Sequence, residues 1–328
     1  MISESSIFTR ELNSFSELFW HQEKTRMQNF NNSFLLSPYG NVINLNYFYV
    51  FIVLILYLSV IVLNIAFIAV VYLERTLHKP MYIFMCNLSF NGLVGSTALC
   101  PFLLSNLLSD THESSYVGCL VQIYFIYLYG SYEFTILTIM SYDRYVSICY
   151  PLHYHIIMSS SKITLLVIFS WMINIINMII SVTLSGSLPL CGNIIEKVYC
   201  DNYSVVKLAC IDTTSFNIYY LINVATIILI QVSLIVWSYI RILQVCLKSS
   251  KDSQTKAIAT CLPQLLIVVN YGIAASFEII QNRFNMKHIP STVRIILSVY
   301  FLILPPIVNP IIYGLKYEQI RLNVKKMF

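Results

Sequence analysis

Glu133, Asp143 and Arg144 are ionisable residues within or beside one apolar run, and their spacing is the first chemical clue. From Glu133 to Arg144, an α-helix turns through about 1100°, within roughly 20° of three whole turns. The two therefore share a stripe with Ile126, Leu137 and Met140. A charge deep in hydrocarbon costs at least about 2.5 kcal/mol, so Asp143-Arg144-Tyr145, where the apolar run gives out, reads as a membrane–water boundary. A carboxyl at mid-span must face the interior or be neutralised. Two readings of Glu133 stay open: a cation or proton site coupled to a switch, and a protonated acid hydrogen-bonded to a neighbouring helix. For Arg144 the bland alternative is a snorkelling anchor.

Four cysteines, Cys119, Cys191, Cys200 and Cys210, fall near the ends of apolar runs, where three disulfide pairings are open to them. Zinc would want a Cys-x-x-Cys or an accompanying His spacing, and neither is present. Cys86, Cys100, Cys149, Cys246 and Cys261 fall in spans or at the basic rim and read as small apolar residues. No Ser-His-Asp order, metal spacing or glycine-rich phosphate loop points to an enzyme, and no cofactor is implied.

The elements that position these residues follow from composition. The 328 residues are 57% hydrophobic and 11% charged, with a mean hydropathy of +0.71. A soluble domain carries roughly 25% charged residues, so the chain reads as an integral membrane protein. Apolar segments recur near Tyr47–Tyr72, Met81–Leu104, Val117–Met140, Ile163–Leu184, Ile218–Ile240, Ala257–Ile280 and Val293–Tyr313. Seven spans of about 20 to 25 residues use up the chain as a single all-α membrane bundle. No repeat or inverted half suggests a transporter.

Lys and Arg set the orientation. The loops after spans one, three and five, with the C-terminal tail, hold twelve, among them Arg75, Lys79, Lys248 and Lys251; the opposite loops hold five, including Lys197 and Lys207. The richer set belongs in the cytoplasm, which places the N-terminus outside. The +5 formal charge then forms a rim facing anionic lipid and a partner protein. It does not suggest nucleic-acid binding, because no basic stripe accompanies it.

The expected organisation is an extracellular tail over 1–46, a bundle over 47–314 and a cytoplasmic tail over 315–328 that alternates basic and apolar positions, as a short helix on the inner leaflet would. Residues 1–26 read as an upstream extension, and 1–46 lack a signal-peptide core. Asn31 begins a glycosylation sequon on the expected outer side, Asn202 begins a second, and a third at Asn87 lies inside a span. Asn64 needs a polar partner and should face the bundle. Pro80 suits a helix start. Pro310 frees a carbonyl in span seven, and the neighbouring Asn309 is placed to bond exposed backbone.

The block Met140–Ser159, MSYDRYVSICYPLHYHIIMS, resembles the end of the third transmembrane helix in vertebrate odorant receptors, in wording nearest to fish and amphibian members. Leu77-His78-Lys79-Pro80-Met81-Tyr82, Ser238-Tyr239, Lys256-Ala257 with Thr260-Cys261, Asn270-Tyr271-Gly272 and Pro306-Ile307-Val308-Asn309-Pro310-Ile311-Ile312-Tyr313 resemble further signatures of that family, in order. The resemblance covers about 300 residues. It implies a rhodopsin-like G-protein-coupled receptor at the plasma membrane, with a small-molecule odorant and a heterotrimeric G protein as partners and cAMP as output.

The resemblance also implies residue roles. It pairs Cys119 with Cys200 and Cys191 with Cys210. It makes Asp143, Arg144, Tyr145, Tyr239, Asn309, Pro310 and Tyr313 the switch, and puts Tyr127, Asn223, Tyr271, Ala274 and Glu278 at the ligand. Two departures stand out. The family's intramembrane aspartate falls at Gly92, with Asn91 alongside about 100° away, which weakens a two-carboxylate sodium site. Gln264 replaces a histidine and cannot titrate near neutral pH. Gly272 offers a place for α-helical bending. A non-olfactory chemosensory receptor is the nearest alternative function, and a transporter is a more distant one.

Overall fold

A computed structural model describes residues 33–36, 43–109, 111–281 and 291–316. The chain is a bundle of seven long helices: α1 (Ile43–Leu73), α2 (Pro80–Leu108), α3 (Tyr116–Cys149), α4 (Ser160–Gly186), α5 (Thr214–Cys246), α6 (Lys251–Gln281) and α7 (Ser291–Lys316). The first six contain stretches long and apolar enough to cross a membrane, and α7 contributes a shorter apolar run, Val299–Gly314. α7 carries three internal prolines, Pro305, Pro306 and Pro310. Asn31, residues 1–26 and the tail beyond Lys316 lie outside the described residues.

Several helices outrun their apolar segments. α3 continues through Asp143-Arg144-Tyr145 to Cys149, because the charged pair ends the lipid-like stretch and not the helix. What ends it is Pro151, which disfavours helical geometry at Tyr150. At its other end Ser115 accepts from the Gly118 N–H, satisfying a donor the first turn leaves open. α2 begins on Pro80 itself.

α3 is the axis of the bundle. Over half (56%) of its apolar window is buried, against 11% for α5 and 17% for α4. Those two expose Ile222, Leu229, Leu165 and Phe169, a surface suited to lipid. α3 touches α2, α4, α5 and α6, while α7 closes the ring against α1, α2 and α6. Buried amides tie the helices together. Thr135 Oγ1 on α3 accepts from Asn174 of α4 at 3.1 Å and Gln231 of α5 at 2.8 Å. Trp171 stacks on Tyr132 and donates to Asn87, a packing role.

Strands, absent from the sequence reading, cover one end. β1 (Ser33–Leu36) lies between β2 (Glu113–Ser115), antiparallel, and β3 (Ile194–Ile195), parallel. β1 buries Phe34 and Leu36. Beside this sheet Cys119 is bonded to Cys200 and Cys191 to Cys210. Arg144 lies twenty-five residues along α3 from Cys119, about 37 Å away. The Asn202 sequon opens a short helix (Asn202–Lys207) with its side chain buried, so a glycan has no room there.

Candidate functional site

Near the disulfide end, α3, α4, α5 and α6 part around a cavity of about 150 Å³. Tyr127, Gly130 and Phe134 line it from α3; Asn177 and Ser181 from α4; Asn223, Ile227 and Gln231 from α5; Tyr271, Ala275 and Glu278 from α6. The α6 set is spaced by four and then three residues, one helical face. Ala274 falls on an adjacent face and is buried outside the cavity lining, its neighbour Ala275 taking the expected place. Tyr127, Asn223, Tyr271 and Glu278 are brought together.

Tyr199 and Tyr203, from the loop after α4, also line the cavity and were missed in the sequence. The signal was present: Tyr199 is the neighbour of Cys200, and a bond to Cys119 on α3 draws that stretch of loop over the bundle. Gln122 fixes the position further, accepting from the Cys200 N–H at 2.9 Å and donating to the Ala98 carbonyl at 3.0 Å.

A charged cluster closes the cavity mouth. Lys197 Nζ is 2.8 Å from Glu278 Oε1 and 3.9 Å from Asp201 Oδ2. The Tyr199 hydroxyl also donates to Glu278 Oε1, and Nζ sits 5.1 Å from the Tyr199 ring centre. Burial works against the ammonium, but Asp201 and Glu278 outweigh it and hold the Lys197 pKa above its ordinary value. Burial, with both carboxylates adding to it, pushes the Tyr199 phenol well up, so it remains a donor.

Below the cavity lies a polar hub. Tyr271 both lines the cavity and donates to the Gly130 carbonyl of α3 at 2.7 Å. One turn along α3, Glu133 is fully buried and accepts from Asn91 at 2.8 Å and from Asn309 at 2.8 Å. Asn91 also donates to the Tyr129 carbonyl at 3.0 Å. The helix rotation therefore works the other way round from the expectation: Asn91 points at the hub. Gly92 faces Pro306, whose side chain a Cβ at Gly92 would meet at 3.0 Å. Asn309 corrects a second expectation, since its amide serves Glu133. The carbonyl that Pro310 frees, that of Pro306, is taken by Asn64 of α1 at 2.9 Å.

At the far end Arg144 pairs with Asp143 at 3.1 Å, and Tyr154 donates to the same carboxylate at 2.7 Å. Tyr145 packs its ring against Trp237 of α5. The Tyr239 hydroxyl is buried without a hydrogen-bond partner, in the field of the Arg144 guanidinium, and Tyr313 is buried. Gln264 of α6 donates to the Leu137 carbonyl and to Ser141 Oγ, each at 3.2 Å, pinning α6 to α3. Among the described residues no His, Cys, Asp and Glu cluster could hold a metal. The cavity offers aromatic walls, amides and a carboxylate, a lining suited to binding a small molecule.

Comparison with known proteins gives the same direction. A family profile described as "Olfactory receptor" matches residues 53–328. Mouse "Olfactory receptor 1E16" is 35% identical over 279 residues, 84% of this chain and 87% of its own length. Rat "Olfactory receptor 1" is 35% identical over 277 residues, 83% and 87% of the two lengths. Human "Olfactory receptor 14J1" is 33% identical over 298 residues, 90% of this chain and 92% of its own.

Proposed function

The chain belongs to the olfactory receptor family, and from that premise we propose how an odorant held among α3, α5 and α6 is reported at Arg144. It is a multi-pass membrane protein that binds a small odorant and couples to a heterotrimeric G protein; stimulation of cAMP follows from the family in general. The finer reading concerns residues and orientation. The N-terminal tail and the disulfide-bonded loop face outward, because the basic residues concentrate on the opposite rim. The bundle proper runs over 47–314, between an outer tail and a cytoplasmic tail.

One observation carries the mechanism: Tyr271 is shared. Its ring walls the cavity and its hydroxyl holds the α3 backbone at Gly130, one turn above Glu133. An odorant packed against Tyr127, Asn223, Tyr271 and Glu278 changes which position of α6 is lowest in energy. It favours the active state only through its differential affinity for the two states. α6 swings away from α3 by releasing the Gln264 contacts with Leu137 and Ser141. Arg144 leaves Asp143 and regroups with Tyr239 and Tyr313, and a G-protein helix enters the cleft. Asn309 and Pro310 let α7 take part, since the hub at Glu133 joins α2, α3 and α7. Glu133 acts in this reading as a hydrogen-bond acceptor; its two amide partners replace a second carboxylate.

The test is a cAMP assay on cells expressing the chain, screened with water-soluble odorants, amino acids and amines. Ala275→Phe fills the cavity and should abolish the response at unchanged surface expression. A full response from that variant places the odorant elsewhere. Accessibility labelling that finds Lys251 and the 191–210 loop on one side of the membrane overturns the orientation.

A further inference from the structure

The charged cluster at the cavity mouth has the composition of an ammonium-binding site that the protein fills with its own side chain. Glu278 supplies a carboxylate at the cavity wall, Tyr199 an aromatic face, and Lys197 the cation, 2.8 Å from the first and 5.1 Å from the centre of the second. Carboxylate plus aromatic face is the combination that attracts alkylammonium groups, the ring through its quadrupole. Asp201 stands on the other side of the same ammonium.

Charge decides what the site accepts. Among the described residues, the ion pairs here set two carboxylates, Asp201 and Glu278, against the one ammonium of Lys197. Asp201 is 1% exposed, Lys197 15% and Glu278 13%, so water screens the excess poorly. Asp201 Oδ1 is buried with no hydrogen-bond partner, an acceptor lacking a donor. An anionic ligand would deepen the imbalance, and a neutral one leaves it unchanged. A single added cation brings the cluster to zero.

Building on the odorant-cavity reading above, we propose that the cavity takes small amines with an apolar body, whose ammonium displaces Lys197 from Glu278 and hands it to Asp201. Lys197 already lies 3.9 Å from Asp201 Oδ2, so it needs to move by only about 1 Å to form a full ion pair there. Each cation then has its own carboxylate. Below, Tyr127, Phe134 and Ile227 receive the apolar body, and Tyr199 and Tyr203 close over it. The loop stays anchored during the exchange by the Cys119–Cys200 and Cys191–Cys210 bonds. Binding is thus felt first as a transfer of Lys197 between two acids and as a new charge contact on α6 at Glu278.

The experiment titrates the purified full-length receptor in lipid nanodiscs with 2-phenylethylamine and with its uncharged analogue 2-phenylethanol, following the thermal unfolding midpoint. The amine should raise the midpoint at concentrations at least about tenfold lower than the alcohol needs. Glu278→Gln should remove that advantage, so that the amine needs the concentrations the alcohol does, and a cooperative unfolding transition of the unliganded variant shows that it is folded. Asp201→Asn, which keeps the cap on the following helix, should weaken the amine because Lys197 loses its second partner. Lys197→Gln should tighten it. No stabilisation of the wild-type receptor by the amine, or an amine advantage that survives Glu278→Gln, overturns the proposal. Ala275→Phe separates this from failure of the cavity reading: if both probes still bind that variant, the cavity is not the site.

Discussion

Asn64 Nδ2 on α1 lies 2.9 Å from the carbonyl oxygen of Pro306 on α7, the acceptor that Pro310, lacking an N–H, leaves open. The two residues are 242 positions apart. The bond lets a proline-broken helix close the ring, because a bare carbonyl in hydrocarbon has no water to turn to. Asn64→Leu should therefore cost about 1–3 kcal/mol, read as reduced surface expression and a lower unfolding midpoint. Wild-type stability in that variant would show that the Pro306 carbonyl finds another donor.

Glu133 accepts two amide donors, from Asn91 and Asn309. Glu133→Gln keeps one acceptor oxygen for Asn91 and turns an –NH2 toward Asn309, which can answer with its unpartnered Oδ1, so it should signal nearly normally, while Glu133→Leu orphans two buried donors and should fold poorly. Asn91→Asp brings a second carboxylate against the first. Like charges at that range cannot both ionise without a counter-cation, so this variant should gain a dependence of odorant potency on sodium. Cell assays in sodium and choline buffers check it; equal potency in both refutes the arrangement.

Gln264 is the tie between α6 and α3 next to the arginine end. Gln264→Leu loses hydrogen bonds worth about 1 kcal/mol, which shifts a two-state balance about fivefold toward the open form. Basal cAMP should rise without added odorant. Unchanged basal output would mean that α6 is held elsewhere.

Arg144→Ala should abolish coupling while the receptor still reaches the surface, because in the proposed switch Arg144 is the group that leaves Asp143 to meet the G protein. Tyr154→Phe removes the other hold on that carboxylate and should raise basal signalling modestly. Full G-protein activation by the alanine variant would reduce Arg144 to a boundary anchor.

The two disulfides should differ in weight. Cys119–Cys200 closes a separation of 81 residues, and Cys191–Cys210 one of 19. Chain-entropy reasoning assigns about 4.5 kcal/mol to the first and about 3 kcal/mol to the second. Surface expression should fall further for Cys200→Ser than for Cys210→Ser. The reverse order would show that the lobe within the loop matters more than its clamp to α3.

Glycine positions offer a control on packing. A Cβ at Gly95 would overlap the Tyr129 ring, whereas one at Gly272 meets nothing within 4 Å. Gly95→Ala should therefore block maturation, and Gly272→Ala should be tolerated with a gain of about 0.5–1 kcal/mol. If Gly272→Ala instead weakens signalling, bending at that point of α6 is part of the switch.

The sequence determined the seven apolar segments, the buried stripe carrying Glu133 and Arg144, and the family itself. The first two depend on local composition and the 3.6-residue period, and the family on the wording of motifs such as Met140–Ser159, none of which needs a partner to be read. Of the five ligand residues that the resemblance implied, Tyr127, Asn223, Tyr271 and Glu278 line the cavity, while Ala274 lies beside the lining and Ala275 stands in it. Partner choice was decided by the tertiary structure alone. Asn91 turning to Glu133, Asn64 serving the Pro306 carbonyl, Tyr199 and Lys197 reaching the cavity, and β1 pairing with β2 and β3 all join residues distant in sequence. A single chain read alone shows which groups need a hydrogen bond; only packing shows which donor lies within 3 Å of which acceptor.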